Sequence, residues 1–229
     1  LGGLDRNSPL TVWLFAAPTY VSDGTGWGAS EGAVIAYRLT NQFGLYGGFG
    51  FNHTDDTTQF LGTVGVQRFG NPYGRDLSDR ASFSFLFDQF SDSQTDSYES
   101  QFRIQAGYVL APRTEIGALV TAQGDSDAGG QQIPLGGIGN VTNGDNFIGP
   151  YASTSLGRGS KLFGTVGYSE QSDDIAGGAG AFFPVSSNAS SQVRGFVDAK
   201  YAGNGNNDDS MALSMGLAWG FGRADSTDY

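Results

Sequence analysis

The 229-residue chain has no cysteine, one histidine, and only 15% charged residues. Without cysteine there is no disulfide framework and no thiolate chemistry. A lone histidine and no cysteine exclude the Cys and His clusters that hold zinc. Basic residues are scarce, 12 against 23 acidic ones, for a net charge of −11. Binding phosphates needs clustered Lys and Arg, so nucleic acid is not expected as a partner. No apolar run approaches the roughly 18 residues of a membrane helix. The opening "LGGLDRNSPL" lacks a basic start followed by an apolar core, and the expectation is a mature form trimmed of its leader.

What is present is glycine, at 37 residues, and aromatics, at 13%. Residues that favour helices are sparse, and β-branched and aromatic residues are plentiful, an all-β composition. The stretch "SMALSMGLAWGFG" over 210–222 shows the governing pattern. Met211, Leu213, Met215, Leu217, Trp219 and Phe221 share one parity; Ser210, Ala212, Ser214, Gly216, Ala218 and Gly220 share the other. Period two means a strand with two unlike faces. Twelve such segments are predicted, over 9–21, 32–41, 43–52, 58–69, 80–90, 100–110, 115–123, 147–157, 161–169, 177–184, 191–201 and 210–221. Both parities are apolar in "LTVWLFAAP", and Pro150 and Pro184 sit awkwardly for central strands.

The links between segments sort into two kinds. Even-numbered links are mostly short, such as "TNQ" and "APRTE"; odd-numbered links are longer and polar, the longest spanning 123–146. The odd links hold 15 of the 23 acidic residues and none of the 12 basic ones. Arg68, Arg75, Arg80, Arg113, Arg158 and Lys161 lie on or beside the even links. In an up-and-down meander alternate links emerge at opposite ends. One end is therefore acidic with long loops, and the other is basic with tight turns and both termini.

A soluble barrel would carry charge on the face opposite its large residues, and a typical soluble domain is about 25% charged. Here that face is Gly, Ala, Ser, Thr and Gln with an occasional charge. A transmembrane barrel turns large residues to lipid and small polar ones to the lumen, and closure leaves no edge in hydrocarbon. The fold expected is one all-β domain over 1–229, an up-and-down antiparallel transmembrane β-barrel of about 12 strands, with 1–8 and 223–229 as flexible ends. Tyr20, Trp27, Tyr37, Phe43, Phe60, Tyr108, Tyr151, Tyr168, Tyr201, Trp219 and Phe221 are candidates for interfacial girdles.

The stretches "EGAVIAYRLTNQFGLYGGFGFN", "QFLGTVGVQRFG", "FLFDQFSD" and "YESQFRIQAGYVLAPRTEIGALVTA" lie within 32–122 or at its edge. This region resembles a group of uncharacterised outer-membrane β-barrel proteins of planctomycete-type bacteria. The resemblance implies a barrel in a bacterial outer membrane and brings no activity or site residues. The last segment also resembles the aromatic-ended signal read by outer-membrane assembly machinery, although the chain continues into "GRADSTDY".

Candidate lumen or constriction residues are Arg38, Asp88, Arg103, Arg194, Asp198 and Lys200. A turn near 95–96 would set Asp88 opposite Arg103. Such charges either select solutes at a constriction or neutralise one another along the wall. "GDSDAGG", "SDDIAGG" and "NNDDS" resemble fragments of calcium loops, with Asp125, Asp127, Asp173, Asp174, Asp208 and Asp209 as candidate ligands. None has the full pattern, and solvated acidic loops are the commoner meaning; no other cofactor is expected. His53 falls in "NHTDDTT", read as a loop, and no G-x-S-x-G is present, so the chain is not expected to be an enzyme. The function expected is a narrow, porin-like passive channel for small solutes, with an acidic extracellular mouth that concentrates cations. The alternative is a non-conducting structural barrel packing with copies of itself or partner proteins at the cell surface. Outer-membrane lipid is the surrounding partner in either case.

Overall fold

The computed structural model describes residues 9–22, 26–54, 58–93, 97–126, 146–157, 159–170, 173–187, 191–203 and 209–221. Both ends, 1–8 and 222–229, and most of the longest link, 127–145, lie outside these. Twelve strands follow one another: β1 (Leu10–Val21), β2 (Gly26–Arg38), β3 (Phe43–Thr54), β4 (Thr58–Arg68), β5 (Ala81–Asp92), β6 (Ser97–Ala111), β7 (Thr114–Ser126), β8 (Phe147–Gly157), β9 (Ser160–Ser169), β10 (Asp174–Ser187), β11 (Ser191–Ala202) and β12 (Ser210–Phe221). A single helical turn, α1 (Leu77–Arg80), interrupts the link before β5. Each strand pairs antiparallel with the next, and β1 pairs with β12, closing the barrel. Among the described residues no helix is long and apolar enough to cross a membrane.

The alternation decides which face looks outward. Along β12 Met215 is 61% exposed and Leu217 55%, whereas Ser214 is 2% exposed and Ala218 1%. Leu45, Val64, Val66, Phe85, Ile104 and Val166 point outward in the same way. An apolar outer face on a closed antiparallel barrel is stable only in lipid, because exposing it to water forfeits the hydrophobic gain. Small inner residues let the wall curve. At the seam a Cβ on Gly220 would stand 2.7 Å from the Trp13 ring.

Several strands run further than their sequence pattern suggests. β2 begins at Gly26 and β10 continues to Ser187, past Pro184, where a register shift between Pro184 and Ser186 absorbs the irregularity. Pro150 stays within β8 opposite Ala118, and its carbonyl accepts from the Thr165 hydroxyl at 2.9 Å. Of the girdle candidates, Tyr20 and Trp27 pair at the acidic end with ring centres 5.4 Å apart, and Trp219 and Phe221 stack at the turn end at 5.0 Å. Tyr151 is a correction: it points inward and is buried. Both parities of β8 carry large residues there, so the pattern could not assign its side.

The lumen is divided. Toward the acidic end the inner wall is buried, including Val21, Asn52, Gln101, Phe147 and Lys200. A belt of polar side chains crosses six strands at this level. Thr19 contacts Ser214 at 3.1 Å and Ser30 at 2.8 Å; Ser30 donates to Asn52 at 3.1 Å. Asn52 donates to Gln59 at 3.3 Å, and Gln59 to Asp92 at 3.0 Å. The belt satisfies buried polar groups across the β12–β1 seam. Thr19→Val removes the partner of the buried Ser214 hydroxyl and one of the two partners of Ser30, and is expected to cost about 1–3 kcal/mol, read as a lower urea midpoint of the detergent-folded barrel; an unchanged midpoint would show the belt to be energetically idle.

Candidate functional site

The buried wall ends on two charged pairs. Asp88, on β5, is fully buried and accepts from Arg103, on β6, at 2.9 Å and from Gln101 at 3.1 Å. The expected Asp88 and Arg103 pair therefore forms, but with a different register. Asp88 lies directly across from Gln101, and Arg103 across from Leu86, so the guanidinium reaches along the wall by two residues. On β11, Lys200 lies 3.9 Å from Asp198, and both are buried. β6 and β11 lie on separate walls of the barrel. Burying charges is costly unless they are paired, which explains why cation and anion arrive together.

Toward the turns the lumen opens into a cavity of about 1350 Å³. Its cations are Arg38, Arg103, Arg113, Lys161 and Arg194, and Glu115 is the one acidic residue facing it among the described residues. Arg194 stacks on Trp13, 4.8 Å from the ring centre, and Arg38 on Phe69 at 5.2 Å. A ring face steadies a guanidinium by cation–π attraction. On the facing wall Tyr151 and Ser82 both donate to Glu115, the latter at 2.7 Å. All six candidate lumen residues face inward, yet the strong positive bias of the cavity was missed. Its cations come from five strands or links, and only their common depth unites them.

At the acidic end the described candidate calcium ligands each accept a hydrogen bond. Asp125 accepts from Tyr98 at 2.8 Å, Asp209 from Tyr201 at 3.0 Å, and Asp173 from Tyr168. Asp174 accepts from the backbone N–H of Ile175 at 2.6 Å. Asp127 and Asp208 lie outside the described residues. Among the described residues no three metal-binding side chains converge.

His53 corrects its sequence reading. It lies on β3, one residue from the strand's end, rather than in a loop, and its parity is that of the lipid-facing Phe49. Its Nδ1 is 3.1 Å from the Thr58 hydroxyl on β4. Its Nε2 is 3.9 Å from the Glu31 carboxylate on β2, too far for a hydrogen bond. The ring stacks on Phe51.

No family model matches the chain, and no curated protein matches it. Solved structures match its fold. The KdgM porin in complex with disordered oligogalacturonate aligns with TM-score 0.57 at 9% identity, over 90% of this chain and 98% of that one. The NanC porin aligns at 0.53 and 10% identity, over 89% and 98%. Outer membrane phospholipase A from Escherichia coli aligns at 0.57 and 9% identity, over 90% and 91%. The closed barrel, its apolar outer face and these likenesses describe a bacterial outer-membrane β-barrel. The phospholipase overturns the sequence-based exclusion of an enzyme. A barrel of this fold carries catalysis in that protein, and the exclusion also rested on a loop position for His53 that the strand contradicts.

Proposed function

We propose that the chain is a narrow porin-like channel for small solutes. The observation that supports this most is the cavity of about 1350 Å³ inside the closed barrel, which runs from the turn end to Arg103 and Arg194. Long links are extracellular and short turns periplasmic in barrels of this class, so the cavity is a periplasmic vestibule. The constriction is the level of Asp88, Arg103, Asp198 and Lys200, where charged side chains take the place of a solute's hydration shell. The porins among the fold neighbours fit this reading.

Planar-bilayer recording tests it. Discrete unit steps are expected from the folded barrel, and they should enlarge several-fold in Lys200→Ala, which shortens one side chain at the constriction. A folded barrel that inserts and stays silent would overturn the channel. Silence would favour the second reading, a non-conducting structural barrel that packs with copies or partners, which the complete burial of Asp88 supports.

A further inference from the structure

We infer that Phe163 is the leaf that limits passage out of the vestibule, and that Gly180 positions it. The inference rests on reading the lumen as a solute path, and it adds an aromatic gate beneath the charged constriction.

The depth of the cavity is the first reason. On the side of β9, β10 and β11 its lining goes no deeper than Phe163, Phe182 and Arg194. The next inward residues on β11 are Phe196, Asp198 and Lys200, and all three are buried. Phe163 and Phe182 have ring centres 5.6 Å apart, and Phe182 and Phe196 6.2 Å. One ring comes from each of three adjacent strands. A layer of rings therefore separates the open cavity from the Asp198 and Lys200 pair.

Register is the second reason. Gly180 pairs with Phe163 on one side and with Asp198 on the other, so the three positions share one level. Glycine brings no side chain to that level, and the neighbouring ring takes the space. A Cβ on Gly180 would stand 2.4 Å from Cζ of Phe163 and 3.0 Å from its Cε1. The ring thus reaches from β9 across β10, toward the strand that carries Asp198. An alanine at 180 would push it inward by more than about 1 Å, to restore an ordinary carbon contact of roughly 3.5–4.0 Å.

The third reason is what an apolar layer does at this place. A narrow apolar constriction expels water and gates by dewetting. It also keeps the ion pair in low-dielectric surroundings, where its attraction is strong. A solute must displace the leaf before the charges behind it can replace hydration water.

The chain's two lysines supply the test, because Lys161 lines the vestibule and Lys200 lies behind the rings. The detergent-folded barrel is treated with acetic anhydride, and acetylation at each lysine is read by mass spectrometry. The ratio of Lys200 to Lys161 labelling is expected to be low in the parent and to rise several-fold in Phe163→Ala. It should stay low in Phe163→Leu, which keeps the bulk. In planar bilayers Phe163→Ala is expected to enlarge the unit conductance several-fold and Gly180→Ala to reduce it. The double change of both residues to alanine should match Phe163→Ala alone. Heat-dependent gel mobility confirms that each variant is folded. Should Phe163→Ala misfold, Gly180→Ala carries the test, since its effect has the opposite sign. An unchanged labelling ratio in folded Phe163→Ala, or an unchanged conductance in Gly180→Ala of a conducting parent, overturns the inference. A silent parent whose Lys200 is unmasked in Phe163→Ala refutes the channel and leaves the ring layer standing as a seal.

Discussion

Replacing Asp88 with alanine is expected to destabilise the barrel by about 3–5 kcal/mol, because it leaves Arg103 charged and buried without its carboxylate. The pair is shielded on both sides, with side-chain exposures of 9% and 0%. Gln101 loses its acceptor in the same step. The measurement is the urea midpoint of the detergent-folded barrel, followed by the mobility difference between folded and heated protein on a gel. Asp88→Asn keeps an acceptor and should lose less. The double change Asp88→Ala with Arg103→Met removes both charges and should recover most of the loss. If Asp88→Ala matched the parent protein, the lumen at that level would have to be wet enough to solvate a lone guanidinium.

The second large effect concerns the outer wall. Met215→Arg is expected to cost about 2–4 kcal/mol in a bilayer, the depth-dependent penalty for an arginine facing hydrocarbon near the midplane. Met215 is in the middle of β12 and 61% exposed on the outer side. Its neighbour Ser214 faces inward, and Ser214→Ala should cost about 1 kcal/mol, the share of one hydrogen bond to Thr19. Refolding into lipid vesicles across a urea series measures both. A tolerated arginine at 215 combined with a damaging alanine at 214 would mean that the outer face does not meet lipid.

How far the sequence revealed this molecule follows from which forces act locally. The two faces of 210–221 were legible because the lipid boundary imposes a period of two on every strand. The sorting of links by charge was legible for the same reason, since alternate links must share an end. Register was less so. Asp92 pairs with Ser97, which centres the turn a residue earlier than the pattern suggests and shifts every pairing between β5 and β6 by two. The ion pair survived because an arginine side chain spans that shift. His53 looked like loop because polar residues resume on the outer face where a strand nears the membrane surface. The vestibule was illegible altogether: depth along the barrel axis is a tertiary coordinate, and Arg38, Arg113 and Arg194 share it without sharing any spacing in sequence.

The belt through Thr19 also bears on time. Thr19 and Ser214 touch across the seam although 195 positions separate them. Every other junction in the wall joins consecutive strands and can form as the chain lengthens. This one cannot begin until β12 exists, and its loop-closure cost is met last. Until then β1 and β12 each present an unpaired edge that hydrocarbon will not accept. Assembly of this barrel therefore has a single late commitment step. A weakened seam should show itself as slow or failed closure, with the earlier strands already paired, before it shows itself as a less stable finished barrel.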